Sequence, residues 1–260
     1  GTGDSANIGQ FVNCPTEGLG YEIVETGETG LTGENGEYEF SPNSSVRFFL
    51  GKIELGTAPA GGIVMPTDIQ SSENGANNVA RFLETLDEDR NCDNGIVITD
   101  AVRQAAEDAT QTAVSASDFD VESSAFETSE AANFARTANG DSRSLISAER
   151  AAQELACAKN DVDTDGRYDG LCNIWFIEDN NNPAPPPNQD QSQEEMDALT
   201  AMFAAQRGHV ILFGPGTFEF TKGLTMSNRE NITIRGFGYQ QTILDFFNSL
   251  DANGILLEGM

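Results

Sequence analysis

The run Asp179-Asn180-Asn181-Asn182-Pro183-Ala184-Pro185-Pro186-Pro187-Asn188 cannot join a packed core. Its prolines donate no backbone hydrogen bond and its asparagines favour water, so a chain that carries it must condense on either side of it. Residues 179–192 therefore read as a linker, and a length of 260 residues leaves room for two or three domains. The flanks have the apolar content to fold: 38% of the residues are hydrophobic and sixteen are phenylalanine, unlike an acidic disordered tail. No run approaches the roughly 18 consecutive apolar residues of a membrane-spanning helix.

N-terminal to the linker, Tyr21-Glu22-Ile23-Val24, Glu37-Tyr38-Glu39-Phe40, Val46-Arg47-Phe48-Phe49-Leu50 and Lys52-Ile53-Glu54-Leu55 are short β-prone runs between Gly, Asn, Ser and Pro turns. They predict a small β-sandwich-like module or half-barrel over residues 9–66, after a flexible tether at residues 1–8. From residue 76 the period changes. Val79, Phe82, Leu83 and Leu86 fall at i, i+3, i+4 and i+7, one face of a helix. Residues 100–158, rich in Ala, Ser, Thr, Asp and Glu, predict solvent-facing helices and loops, with a helical stripe of Leu145, Ala148, Ala152 and Leu155 ending near Cys157.

The sharpest chemical pattern follows that stripe. Asp161, Asp163 and Asp165 alternate before Gly166, and Arg167 and Asp169 continue the spacing of a calcium loop. A hard cation needs several oxygens at once: here three carboxylates, the Arg167 carbonyl, and Asp169 directly or through water. Gly166 permits the positive φ of the turn. Cys172 stands where an EF-hand has its bidentate Glu, so the pattern is closer to the aspartate repeats of extracellular modules. The competing reading is a solvated acidic turn. Asp87, Asp89, Asn91 and Asp93 form a weaker second candidate, with Cys92 in place of the glycine and a capped surface turn as the favoured alternative.

Four cysteines, Cys14, Cys92, Cys157 and Cys172, allow three pairings and lack the spacing of a zinc ribbon or a CxxC redox pair. Cys157 and Cys172 bracket the aspartate run, so a bridge between them would close segment 159–178 and leave Cys14 to Cys92. Four reduced, buried thiols are the alternative. The formal charge of −28 and pI near 4.1, with no basic residue before Arg47, disfavour nucleic acid and anionic membranes and suit calcium-containing surroundings outside the cell. Gly1-Thr2-Gly3-Asp4-Ser5 is similar to the polar tether behind the lipidated cysteine of bacterial lipoproteins, so membrane contact is expected only through an anchor upstream of Gly1.

Phe11-Val12 with Gly18-Leu19-Gly20-Tyr21, then Gly33-Glu34-Asn35-Gly36-Glu37-Tyr38, Phe49-Leu50-Gly51-Lys52-Ile53-Glu54-Leu55-Gly56, and Asn78-Val79-Ala80-Arg81-Phe82-Leu83-Glu84-Thr85-Leu86-Asp87 with Asn94-Gly95-Ile96 occur in that order. Together they resemble an adhesin-like module of surface lipoproteins from marine gammaproteobacteria, over residues 9–158. The resemblance implies display or adhesion and carries over no catalytic residue; the cysteines depart from its pattern.

C-terminal to the loop, Ile174-Trp175-Phe176-Ile177 reads as core or interdomain packing. Beyond the linker, Ser192-Gln193-Glu194-Glu195 is a capping box and Met196, Leu199, Met202 and Phe203 continue one apolar helical face. Five β-prone runs succeed it: Val210-Ile211-Leu212, Phe218-Glu219-Phe220, Ile232-Thr233-Ile234, Thr242-Ile243-Leu244 and Ile255-Leu256-Leu257. Ile211, Ile232 and Ile255 recur every 21 and 23 residues, which predicts one inward ladder of a solenoid. Gly214-Pro215-Gly216-Thr217-Phe218, Asn231-Ile232-Thr233-Ile234-Arg235-Gly236-Phe237-Gly238 and Thr242-Ile243-Leu244-Asp245-Phe246 resemble the start of a right-handed parallel β-helix of the pectin-lyase-like kind, over residues 193–260. Gly236-Phe237-Gly238 reads as a tight turn, not a dinucleotide site.

The expected fold is thus mainly β with helical insertions: the sandwich-like module, then a helix-capped start of a parallel β-helix that ends about two coils in. His209 reads as a surface or cap residue, and Asp245 and Glu219 as unpaired, so no catalytic constellation is identified. The expected role is a calcium-stabilised structural or adhesion protein, extracellular or on the outer-membrane surface, with copies of itself or a polysaccharide as partner. The alternative is the N-terminal part of a polysaccharide lyase, epimerase or depolymerase whose active groove lies beyond residue 260.

Overall fold

The computed structural model describes residues 7–90, 92–108, 110–140, 142–166, 168, 174–177, 193–205, 209–237, 241–247 and 254–258. The chain divides into two compact units, Gly1–Gly170 and Leu171–Met260.

The first unit opens with eight strands: β1 (Asn7–Phe11), β2 (Thr16–Glu17), β3 (Gly20–Ile23), β4 (Glu28–Leu31), β5 (Glu37–Phe40), β6 (Ser45–Leu50), β7 (Ile53–Pro59) and β8 (Ile63–Val64). Strands β4-β3-β6-β7 form an antiparallel sheet in that order. A second sheet has the order β5-β1-β8, with β8 parallel to β1. The alternation in β6 shows why the sheets meet. Val46, Phe48 and Leu50 are buried while Ser45, Arg47 and Phe49 face outward, the period of a half-buried strand. Phe11 of β1 packs on Phe48 of β6 with ring centroids 4.5 Å apart and planes tilted by 47°, and Tyr38 of β5 meets Phe48 edge-on at 5.4 Å. Neither sheet closes into a barrel.

Helices follow: α1 (Pro66–Ile69), α2 (Glu73–Leu86), then strand β9 (Ile96–Val97) beside β2, and α3 (Asp100–Glu107), α4 (Ser123–Phe126), α5 (Glu130–Thr137) and α6 (Ala148–Asp165). Ser72 caps α2 by accepting the Gly75 N–H at 3.0 Å. The expected face of Val79, Phe82, Leu83 and Leu86 is buried, but so are Asn78, Arg81, Glu84 and Thr85. Packing from α4, α5 and α6 encloses α2 on its other sides. Residues 100–158 are therefore not merely a solvent-facing extension. Val102, Ala106, Phe119, Phe126, Ala131, Ala132 and Ala135 enter the same core as the strands, because small alanines let the helices approach closely. Arg81, only 2% exposed, donates from Nε to the Ile146 carbonyl at 2.8 Å and from Nη2 to Glu127 Oε1 at 3.1 Å, so the buried charge is partnered.

The second unit begins earlier than the linker. Strand β10 (Ile174–Ile177) lies parallel to β11 (Val210–Phe213), with Ile174 opposite Val210 and Ile177 opposite Phe213. The Pro/Asn segment, outside the described residues, thus connects two elements of one unit. Helix α7 (Gln193–Ala204) precedes β11, and β12 (Gly216–Glu219), β13 (Leu224–Ser227), β14 (Thr233–Arg235), β15 (Thr242–Asp245) and β16 (Ile255–Glu258) complete it. All pairings here are parallel: β10-β11-β14, β12-β15 and β13-β16. The expected single isoleucine ladder is not formed. Ile211 is opposite Ile234, whereas Ile255 is opposite Leu224 on another ladder and is 39% exposed. The connections differ in length, so a constant sequence interval does not keep residues on one ladder. The face of α7 also differs: Ala198, Ala201 and Met202 are buried while Phe203 is 82% exposed.

Candidate functional site

The aspartate run sits at the end of α6. Ser147 starts this helix by accepting the Arg150 N–H at 3.1 Å, and the helix continues through Asp165 instead of giving way to a tight turn at Asp161. Positions 161 and 163 therefore lie about 200° apart around the axis and 161 and 165 share a face. Gly166 does take the expected left-handed conformation, φ 78°, as the helix C-cap, and its N–H donates to the Val162 carbonyl at 2.7 Å. Arg167 and Asp169 lie outside the described residues. Cys157 is disulfide-bonded, and Cys172, its expected partner, also lies outside them.

The second candidate is an ordered turn. Asp87 is buried, its Oδ1 accepting the Val97 N–H at 2.9 Å, while exposed Asp89 accepts from Asn94 Nδ2 at 2.7 Å. Asn91 lies outside the described residues, as does the side chain of Asp93. The expected bridge from Cys14 to Cys92 is present and ties this turn to the loop after β1.

Beneath that bridge lies a polar cluster that the sequence reading missed. Glu84 Oε1 accepts from Asn13 Nδ2 at 3.0 Å, and Glu154 Oε1 accepts from Arg150 Nε at 3.0 Å. The second carboxyl oxygen of each glutamate is buried with no other hydrogen-bond partner. A carboxyl that keeps its proton can donate a hydrogen bond where an ionised one can only accept. Burial above all, then the charge of Glu154, pushes the Glu84 carboxyl well above the usual range, with Arg150 and Asn13 opposing. A Glu154 oxygen and the sulfurs of Cys14 and Cys92 fall within 4.8 Å of one another, but sulfurs bonded to each other offer no thiolate to a metal. The visible signal was the i,i+4 pair Arg150 and Glu154; nothing local marks Glu84 as buried.

In the second unit, His209 is buried instead of sitting at the surface. Its Nδ1 accepts the indole N–H of Trp175 at 2.9 Å, fixing the neutral tautomer with the proton on Nε2, and burial lowers its pKa. Glu195 is also fully buried: its carboxylate accepts the backbone N–H groups of Thr221 and Lys222, both at 2.8 Å, holding the turn between β12 and β13. Its expected capping partner Ser192 lies outside the described residues. Glu219 and Asp245 are register partners on β12 and β15, and Asp245 Oδ1 accepts the Phe247 N–H at 2.8 Å. These polar groups hold turns and strand ends in place. The chain matches no family model, no curated protein and no solved structure.

Proposed function

We propose that the chain is a structural and adhesive module displayed outside the cell, a disulfide-stapled β module followed by the first coils of a right-handed parallel β-helix that α7 caps. The observation that carries this reading is the set of three parallel ladders, in which β11, β12 and β13 each face the corresponding strand β14, β15 or β16. Ile211, Phe218, Leu224 and Met226 share one core with Ala198 and Met202 of α7, the arrangement of a capped solenoid whose stability accumulates coil by coil. The Cys14–Cys92 bridge favours an oxidising compartment, and the charge of −28 favours salt- and calcium-rich surroundings. Exposed Ile243 on β15, Leu257 on β16 and Phe247 just after β15 supply apolar surface for assembly with other β structure.

Calcium at Asp161, Asp163, Asp165, Asp169 and the Arg167 carbonyl belongs to the same reading, supported by their spacing; binding requires α6 to unwind over its last turn. Protein-coated beads are expected to adhere to polysaccharide-coated surfaces, and calcium is expected to raise the melting temperature relative to chelator. Turnover of the polysaccharide would overturn the structural reading, and adhesion no better than that of an uncoated bead would overturn the adhesive one.

A further inference from the structure

Reduction of the Cys14–Cys92 bridge leaves two thiols that the backbone still holds together. Strands β2 and β9 pair beside them, with Thr16 opposite Ile96, and Ile96 N donates to the Pro15 carbonyl at 2.8 Å. The Cα atoms of Cys14 and Cys92, 5.5 Å apart, are thus fixed by a ladder that does not depend on the S–S bond. Each cysteine is also held locally. The Cys14 carbonyl accepts the Thr16 hydroxyl at 2.9 Å, and the Cys92 carbonyl accepts the Gly95 N–H at 3.1 Å.

Helix α6 brings a third ligand to the same point, since an oxygen of Glu154 lies within 4.8 Å of both sulfurs. Arg150 Nε donates to Glu154 Oε1 at 3.0 Å, and Arg150 Nη2 donates to the Arg90 carbonyl at 2.8 Å, which ties the carboxyl to the turn that carries Cys92. Glu154 is 7% exposed, and its Oε2 is buried with no hydrogen-bond partner. A buried acceptor of this kind calls for a proton donor or a cation. Cys14 is fully buried and Cys92 half-buried, so solvent reaches the group from the Cys92 side.

The donor set and the charge balance select the ion. Two thiolates disfavour calcium and magnesium, which take about six oxygens or more, and favour zinc or copper(I). The Glu154 carboxylate is offset by Arg150, so a dication on two thiolates leaves the buried group neutral, whereas copper(I) leaves a negative charge uncompensated. We propose that the reduced chain binds one Zn2+ through Cys14, Cys92 and Glu154, with water in the fourth position on the Cys92 side. Bridge and ion exclude each other. Two low-molecular-weight thiols pass two electrons and two protons to the bridge and become a disulfide, the S–S bond breaks, and each sulfur carries a proton. Zn2+ then displaces both protons to solvent and forms two Zn–S bonds. A disulfide oxidant takes the two electrons back, closes the bridge and expels the ion, so the metal belongs to the chain before it meets oxidising surroundings, and the site does not rest on the adhesive reading.

The test takes the full chain with Cys157→Ser and Cys172→Ser, which leaves Cys14 and Cys92 as its only cysteines. It is reduced with a phosphine, desalted without oxygen, and titrated with Co2+ as a spectroscopic substitute and then with Zn2+. One Co2+ should bind with sulfur-to-cobalt absorption and the visible bands of a tetrahedral ion, Zn2+ should bleach both, and the oxidised chain should show neither. Cys14→Ser should remove at least half of the sulfur-to-cobalt absorption. Glu154→Gln should keep that absorption but weaken Zn2+ binding about a hundredfold, since even outer-shell partners are worth about 10–100-fold. Circular dichroism shows whether the reduced chain is folded; where it is not, Zn2+ should refold it, because binding free energy becomes folding free energy. No sulfur-to-cobalt absorption in a folded reduced chain, no refolding of an unfolded one, equal Zn2+ affinity in the oxidised and reduced chains, or unchanged affinity in Glu154→Gln would each overturn the proposal.

Discussion

Replacing Glu84 by glutamine should stabilise the first unit at neutral and alkaline pH, although it alters a residue 2% exposed at the centre of the helical layer. Unfolded, this carboxyl titrates near its ordinary value of 4.5; folded, it holds its proton to higher pH because burial and then Glu154 penalise the anion. The folded state thus binds more protons above 4.5. Stability supplied by the proton on Glu84 is complete below that value and is lost as pH rises towards the folded pKa. Each pH unit of this window lowers stability by about 1.4 kcal/mol, against a total that is ordinarily about 5–15 kcal/mol. Glutamine needs no proton. Its Oε1 can keep the hydrogen bond from Asn13, and its amide can donate to the buried Glu154 oxygen that lacks another partner.

Urea unfolding followed by far-UV circular dichroism, from roughly pH 5 to pH 9, measures the difference directly, since other groups cancel between wild type and variant. The variant should gain on wild type as pH rises, by about 1.4 kcal/mol per unit while Glu84 stays protonated, and should gain nothing below about pH 4.5. Parallel curves would refute a Glu84 carboxyl that holds its proton to higher pH in the folded state. So would a variant less stable than wild type at pH 8, which would mean that Glu84 is ionised and paired.

Removing the Cys14–Cys92 bridge by serine substitution should cost about 4–5 kcal/mol on the loop-entropy account for its separation of 78 residues, read as a fall in the urea midpoint; a loss below about 1 kcal/mol would show that the unfolded chain is already constrained. Acidification should break the Trp175–His209 hydrogen bond, because a protonated Nδ1 cannot accept. Burial depresses this pKa, so the stability it supplies is present above the ordinary 6.5 and lost as pH falls through the lower folded value. Fluorescence of Trp175, the single tryptophan, should change below pH 6.5 in wild type and not in His209→Gln; an identical change in both would assign it elsewhere. Ile211→Asp should unfold the second unit, while Ile255→Asp at a 39% exposed position should cost about 1 kcal/mol or less; equal losses in thermal melts would return the two isoleucines to one ladder.

The contrast between Ile211 and Ile255 shows what periodicity can report. Alternation in β6 and the Val79–Leu86 stripe of α2 were legible because each depends on one buried face, repeated at the period of a single element. Solenoid register depends instead on three connections of unequal length, and a regular interval of isoleucines carries no information about them. Helix α7 adds the converse case, since the alanines at 198 and 201 make its contact and the larger Phe203 does not; close approach selects small residues that a hydrophobicity pattern passes over. The polar sites divide in the same way. Gly166 announced its positive φ because that constraint is local. Glu84 announced nothing, because what makes its carboxyl unusual is burial by packed helices and then Glu154 seventy residues away. Sites built within one turn of chain can be read from spacing, whereas sites built by packing depend on contacts that spacing does not encode.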